Sequence, residues 1–108
     1  MAFKEAVVAA HEGDTIVTLK KLTPVRLIKH KFYEQVQLAE NSGASNEELE
    51  QILGRARAKK GMFEGELDEG ELEIGQVSSM IKEIKPAAEI VHDVWEEFKK
   101  TANAPFTF

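Results

Sequence analysis

The run from Lys59 to Gln76, KKGMFEGELDEGELEIGQ, constrains this chain more than any other stretch. Four glycines, Gly61, Gly65, Gly70 and Gly75, punctuate it, and six acids, Glu64, Glu66, Asp68, Glu69, Glu71 and Glu73, fill the gaps. Glycine at that density disfavours a regular helix or strand, because each one loses backbone freedom for no packing gain. The run is nonetheless apolar at Met62, Phe63, Leu67, Leu72 and Ile74, too apolar for a plain linker. It reads as a loop with a defined path, held by buried side chains, with its acids in solvent.

The chain has 108 residues, of which 43% are hydrophobic and 31% charged, which suits one soluble domain or a piece of one, and no domain boundary is visible inside it. Its net charge of -5 argues against non-specific attraction to nucleic acid or anionic lipid. No apolar run approaches the roughly 20 residues that cross a bilayer, and the longest near the N-terminus is Ala6 to Ala10. No cysteine is present, which excludes disulfides, thiolate metal sites and a thiol nucleophile and agrees with a cytoplasmic location.

Periodicity places a helix over 3–11, with Phe3, Ala6, Val7 and Ala10 on one face and Gly13 as its stop. Thr15 to Leu19 is rich in β-branched residues and reads as a short strand. Thr23-Pro24 breaks it, and Val25 to Ile28 is a short apolar patch that contains Arg26. A helix over 30–42 turns Phe32, Val36 and Ala39 inward. Ser45 and Glu48 have the spacing of a capping box for the next helix. That helix puts Leu49, Ile52, Leu53 and Ala56 on one stripe, with Arg55, Arg57, Lys59 and Lys60 compensating charge at its end. Val77, Met80, Ile81 and Ile84 mark a further helical face that stops before Pro86. Pro86 opens a last helix, whose stripe is Ile90, Val91, Val94, Trp95 and Phe98. The tail APFTF has no clear structure. The expected class is a mainly α fragment, with four to five helices and at most one or two short strands. One strand cannot form a sheet alone, so either the domain is helical with an irregular extension or its sheet lies elsewhere.

Few constellations carry chemistry. The acid run fails as an EF-hand, because glutamates stand where short Asp or Asn side chains are wanted. His11, His30 and His92 are far apart and none forms an H-x-x-x-H pair, so neither a metal site nor a catalytic residue is assigned. Ser78 and Ser79 follow no nucleophile-elbow pattern. Gly75-Gln76 is subtler. A glycine followed by an amide that donates and accepts is a place where a ligand can approach, or simply an exposed turn.

The segment GRARAKKGMFEGELDEGELEIGQVSSMIKEIKPAAEIV, residues 54 to 91, resembles the C-terminal end of the NAD(P)H-dependent, FMN-containing oxidoreductases known as nitronate monooxygenases or 2-nitropropane dioxygenases. The related FMN-dependent type II enoyl-[acyl-carrier-protein] reductases share the likeness, and residues 3 to 36 look like the preceding part of the same proteins. The resemblance implies a parent α/β TIM barrel with a helical C-terminal region. A barrel takes about 250 residues, so the family's phosphate-binding glycine loops and catalytic histidine are expected before Met1. Gly75 and Gln76 match the family's Gly-Gln near the substrate side of the flavin pocket, and the turn from Glu71 to Ile74 is expected to help line it. Ser78 and Ser79 replace the smaller residues more common there. The implied parent uses FMN and NAD(P)H on a nitronate or an enoyl thioester. The chain alone is expected to retain neither cofactor and to be inactive. Its apolar stripes are expected to pack on the missing barrel portion or to self-associate. The alternative is a stand-alone small helical interaction domain without catalytic activity.

Overall fold

In a computed structural model that describes residues 1–106, the chain is mainly helical around one small sheet. Thr107 and Phe108, the end of the APFTF tail, lie outside the described residues. The order is α1 (Ala2–Ala9), β1 (Thr15–Thr18), β2 (Val25–Ile28), α2 (Lys31–Asn41), α3 (Asn46–Leu53), α4 (Arg57–Met62), a 3₁₀ turn (Gln76–Met80) and α5 (Ala87–Ala102). No helix among the described residues is long and apolar enough to cross a membrane.

The sheet lies within the chain. The apolar patch around Arg26 is a true strand, and β1 and β2 form an antiparallel hairpin with Thr15 opposite Ile28 and Val17 opposite Arg26. The glycine-rich run adds a third line of pairing on the far edge of β2. There Leu27 bridges Glu73, the Ile28 amide donates to the Leu72 carbonyl at 3.0 Å, and the Ile74 amide donates to the Arg26 carbonyl at 3.0 Å. Sequence reasoning missed this pairing although Glu71-Leu72-Glu73-Ile74 alternates acid and apolar as a strand does, because the four residues are closed in by Gly70 and Gly75 within a glycine-rich run that reads as loop.

Side chains alternate across a sheet, so this small sheet divides two cores. On one face Leu27 joins Leu19, Phe32 and Val36, with Ile52 and Leu53 packed beside them from α3. On the other face Ile28 and Leu72 meet Val7 of α1. Leu19 takes a left-handed backbone, φ 55°, at a cost of about 1 kcal/mol. Its side chain is 2% exposed, and full burial of a leucine contributes about 2 kcal/mol, so packing wins.

The capping box forms as its spacing predicts: the Glu48 amide donates to Ser45 Oγ and the Ser45 amide donates to Glu48 Oε2. The helix it starts is shorter than its apolar stripe implies. It ends at Leu53, and Ala56, expected on the stripe, is exposed with a left-handed φ of 61°. That kink lets Arg57 fold back. Its guanidinium donates to the last carbonyls of α3, Leu53 and Ile52, both at 3.0 Å, and to the Glu69 carbonyl at 2.7 Å, while sitting over the Phe32 ring. Lys59 pairs with Glu64 at 3.4 Å. The basic cluster thus compensates charge locally as expected, but across a break and not along one helix end.

The glycines at 61 and 70 have a packing reason. A Cβ on Gly70 would collide with the backbone of Gly61 and lie 2.6 Å from the Glu66 carbonyl oxygen, and one on Gly61 would lie 2.7 Å from Leu72 Cδ2. The two backbones cross at a separation that no side chain permits. The loop therefore has a defined path, though not all its expected anchors are buried. Leu72 is buried and Leu67 and Ile74 pack beside it, whereas Phe63 is 82% exposed. Five of the six acids are in solvent or at its edge, and Glu71, expected there too, is buried.

The second half is open. The helical face expected over Val77 to Ile84 is instead a 3₁₀ turn followed by irregular chain, and Val77, Met80, Ile81 and Ile84 are all exposed. Lys82 ties that segment to α1 by donating to the Ala10 carbonyl at 2.9 Å. α5 has no buried residue, and its expected stripe lies bare, from Ile90 to Phe98. The result is a radius of gyration of 17.4 Å where a compact chain of this length has about 13 Å. The surface is 7926 Å² against about 6000 Å² for a compact monomer of this mass.

Candidate functional site around Gln76

Pairing of residues 72–74 with β2 sets where Gln76 falls. Ile74 is hydrogen-bonded to Arg26, and two residues later Gln76 opens the 3₁₀ turn beside the hairpin. Gln76 lines a cavity of about 750 Å³ together with Arg26, Thr15, Glu12, Val77 and Met80, among others. A volume of that order suits a ligand the size of a cofactor or drug. Gly75 and Gln76 are exposed, and Ser79 lies on the cavity wall. Ser78 is buried, and its Oγ meets no hydrogen-bond partner among the described residues.

Gly75 differs from the other six glycines. Gly13, Gly43, Gly54 and Gly65 have positive φ, and Gly61 and Gly70 are locked in the backbone crossing. Gly75 has an ordinary extended backbone, φ -81° and ψ 159°, and a Cβ placed on it meets nothing within 4 Å. Nothing inside the described residues requires glycine there.

Arg26 was not singled out by sequence reasoning as a site residue. Its Nη1 donates to Thr15 Oγ1 at 3.0 Å and to the Thr15 carbonyl at 3.2 Å, which fixes the guanidinium across the hairpin. No carboxylate among the described residues forms an ion pair with it. The usable signal was a lone arginine interrupting a four-residue apolar strand.

Glu71 and Glu73, expected near Gln76, lie elsewhere. They line a second cavity, of about 460 Å³, with Glu50, Leu19, Leu22, Val25 and Leu53, at the end of the Leu27 core. The reason is register: Glu73 bridges Leu27, so it shares that residue's side of the sheet. Burial, and then the neighbouring charge of Glu73, push the Glu71 carboxyl up to about 7. The histidines stay apart. His30 Nε2 lies 3.1 Å from Asp68 Oδ1 at the start of α2, His11 precedes a turn, and His92 is exposed on α5. Among the described residues no three His, Asp or Glu side chains group as a metal site.

A third concavity, of about 280 Å³, lies between α1 and the approach to α5. Phe3, Val7, Val8, Ile81, Ile84 and Ile90 make it apolar.

No protein-family model and no curated protein matches the chain. Solved structures do. The structure of FabK from Thermotoga maritima is similar over 94% of this chain, with 33% sequence identity and a TM-score of 0.81. The M276A mutant of the same FabK is similar over 94% of this chain, at 30% identity and a TM-score of 0.69. The chain spans 32% of the length of the first of these structures and 28% of the second. Identity at that level across nearly the whole chain extends the likeness from fold to sequence.

Proposed function

We propose that this chain is the closing segment of an FMN-dependent oxidoreductase, of the group that unites nitronate monooxygenases with type II enoyl-[acyl-carrier-protein] reductases. The observation that carries the reading is Gly75. It is a glycine with no reason among the described residues, it precedes an amide that lines an open cavity, and the sequence resemblance puts a Gly-Gln pair at the substrate side of a flavin pocket. The likeness to FabK supports the same reading. It also makes an enoyl thioester the first substrate to test and a nitronate the second.

The residues present fit one wall of a flavin site and not a whole one. Gly75 leaves room for close approach, Gln76 offers both a donor and an acceptor, and Val77 and Met80 supply exposed apolar surface. When bound, FMN supplies the hydride chemistry, with NAD(P)H as reductant. The chain's own part is to orient the substrate through the Gln76 amide and to exclude water with the apolar side chains around it. The bare stripe of α5 and the apolar groove beside α1 are the surfaces on which the barrel portion packs.

The test is a chimera in which this chain replaces the matching segment of Thermotoga maritima FabK. The expected result is a folded protein that keeps FMN through desalting and oxidises NADH in the presence of a crotonyl thioester. In that chimera Gly75→Val is expected to abolish turnover while flavin absorbance survives. A chimera that unfolds cooperatively yet holds no flavin would sink the reading. The chain alone is expected to show no flavin band.

The second reading, a stand-alone helical interaction module, is favoured by one observation, the bare α5 stripe. It predicts a monodisperse chain with dispersed amide signals and no partner barrel.

A further inference from the structure

The geometry points to Arg26 and Gln76 as a subsite for an oxyanion, the anionic end of a ligand whose apolar part lies against Val77 and Met80. This deepens the ligand-facing reading of the Gln76 cavity and rests on it.

Arg26 is half-buried on a strand in a chain of net charge -5, yet it pairs with no acid among the described residues. Only its Nη1 is engaged, and by two neutral acceptors of Thr15. The remaining guanidinium donors meet no acceptor among the described residues, while the Thr15 contacts hold the planar fork in one orientation. A guanidinium pre-oriented in this way, with donors to spare, matches a phosphate or carboxylate and loses little side-chain entropy on binding it. Gln76 lines the same cavity and adds an amide donor.

The arrangement follows from pairing. Arg26 stands opposite Val17 and shares its sheet face, and the Ile74–Arg26 backbone bond brings the chain that leads to Gln76 alongside. Glu12 also lines the cavity, but it is exposed and forms no ion pair with Arg26. It sets a limit on affinity, since it repels an anion across the same space. Val77 and Met80 are 64% and 75% exposed, and they favour a ligand with an apolar body over a bare ion.

Titration of the whole chain followed by amide and arginine Nε–H NMR tests this. Phenyl phosphate, benzoate and inorganic phosphate are the probes, with Arg26→Gln, Arg26→Lys and Gln76→Ala as variants. The expected result is saturable binding of phenyl phosphate or benzoate, with shifts confined to Arg26, Thr15 and the Gln76 side-chain amide. The tighter of the two identifies a phosphate or a carboxylate as the natural group. Arg26→Gln weakens binding at least ~10-fold, as expected for loss of a charged hydrogen-bond donor, Arg26→Lys retains part of it, and Gln76→Ala weakens it about threefold. Shifts spread over the lysines, or binding unchanged in both Arg26 variants, overturn the assignment. If the chimera holds flavin but this binding is absent, the Arg26 assignment alone fails. If saturable Arg26-dependent binding is present and the chimera holds no flavin, the flavin reading alone fails.

Discussion

The segment at the crossing of Gly61 and Gly70 and the helix α5 both set apolar residues among charged ones, and Leu72 in the first and the stripe of the second end in opposite environments. In the first, Leu72 is 2% exposed and two backbones touch. In the second, Val91 is 70% exposed and Trp95 stacks on Phe98 at 5.5 Å with one side open to solvent. The difference lies in what each segment finds within the chain. Residues 72–74 find a free edge of β2, which supplies hydrogen bonds that three residues cannot supply themselves. α5 satisfies its own backbone, so nothing compels it to dock, and its stripe stays exposed among the described residues.

Substitutions and pH probe that contrast, and the largest effect is expected at the crossing. Gly70→Ala drives a Cβ into Gly61 and is expected to cost about 3 kcal/mol or more by chemical denaturation. Gly75→Ala, with open space around it, is expected to change stability by no more than about 0.5 kcal/mol. Equal losses at the two positions would erase the distinction between them.

Next comes pH. The Glu71 carboxyl has a folded value of about 7 against an ordinary 4.5. It is therefore neutral in the folded protein where the unfolded chain ionises it. Its contribution to stability is fully present below about pH 4.5 and is lost as pH rises through 7. The loss is on the order of 2–3 kcal/mol, read from thermal midpoints between pH 5 and 8. Glu71→Gln, which mimics the neutral acid, is expected to flatten that slope, and a slope left intact by it would assign the effect to another group.

Smaller effects sharpen the picture. Ser45→Ala removes half of the capping box and is expected to cost about 1 kcal/mol, with faster amide exchange confined to α3. At the low end, Trp95→Ser on the bare stripe is expected to move the unfolding free energy by no more than about 0.5 kcal/mol while reducing self-association in sedimentation. A loss above about 1.5 kcal/mol would mean that α5 is buried after all.

Much of this fold was legible because its signals are local. The Ser45–Glu48 box, the inward Phe32 and Val36 and the last helix need only spacing and propensity and stand where the residues put them, and the strand expected over 15–19 forms over Thr15–Thr18, with Leu19 turning out of it. Reading failed where one element depends on another. The helix expected through Ala56 ends at Leu53, and the left-handed turn at Ala56 lets Arg57 fold back onto the carbonyls of Ile52 and Leu53. The face expected over 77–84 has periodicity, yet its apolar residues stay exposed, with Ile81 and Ile84 reaching only the open groove beside α1. Gly75-Gln76 was visible as a pair, whereas Arg26 is distant in sequence and joins it only through strand pairing.

By itself, then, the sequence determined a mainly helical chain, its caps and turns, and a glycine-rich loop with a defined path. Only the tertiary structure decided that this loop is a third sheet edge, that Glu71 and Gln76 serve different cavities, and that Arg26 stands beside Gln76. Propensity and capping act over about four residues, while register, backbone crossing and burial arise between segments that the sequence lists far apart.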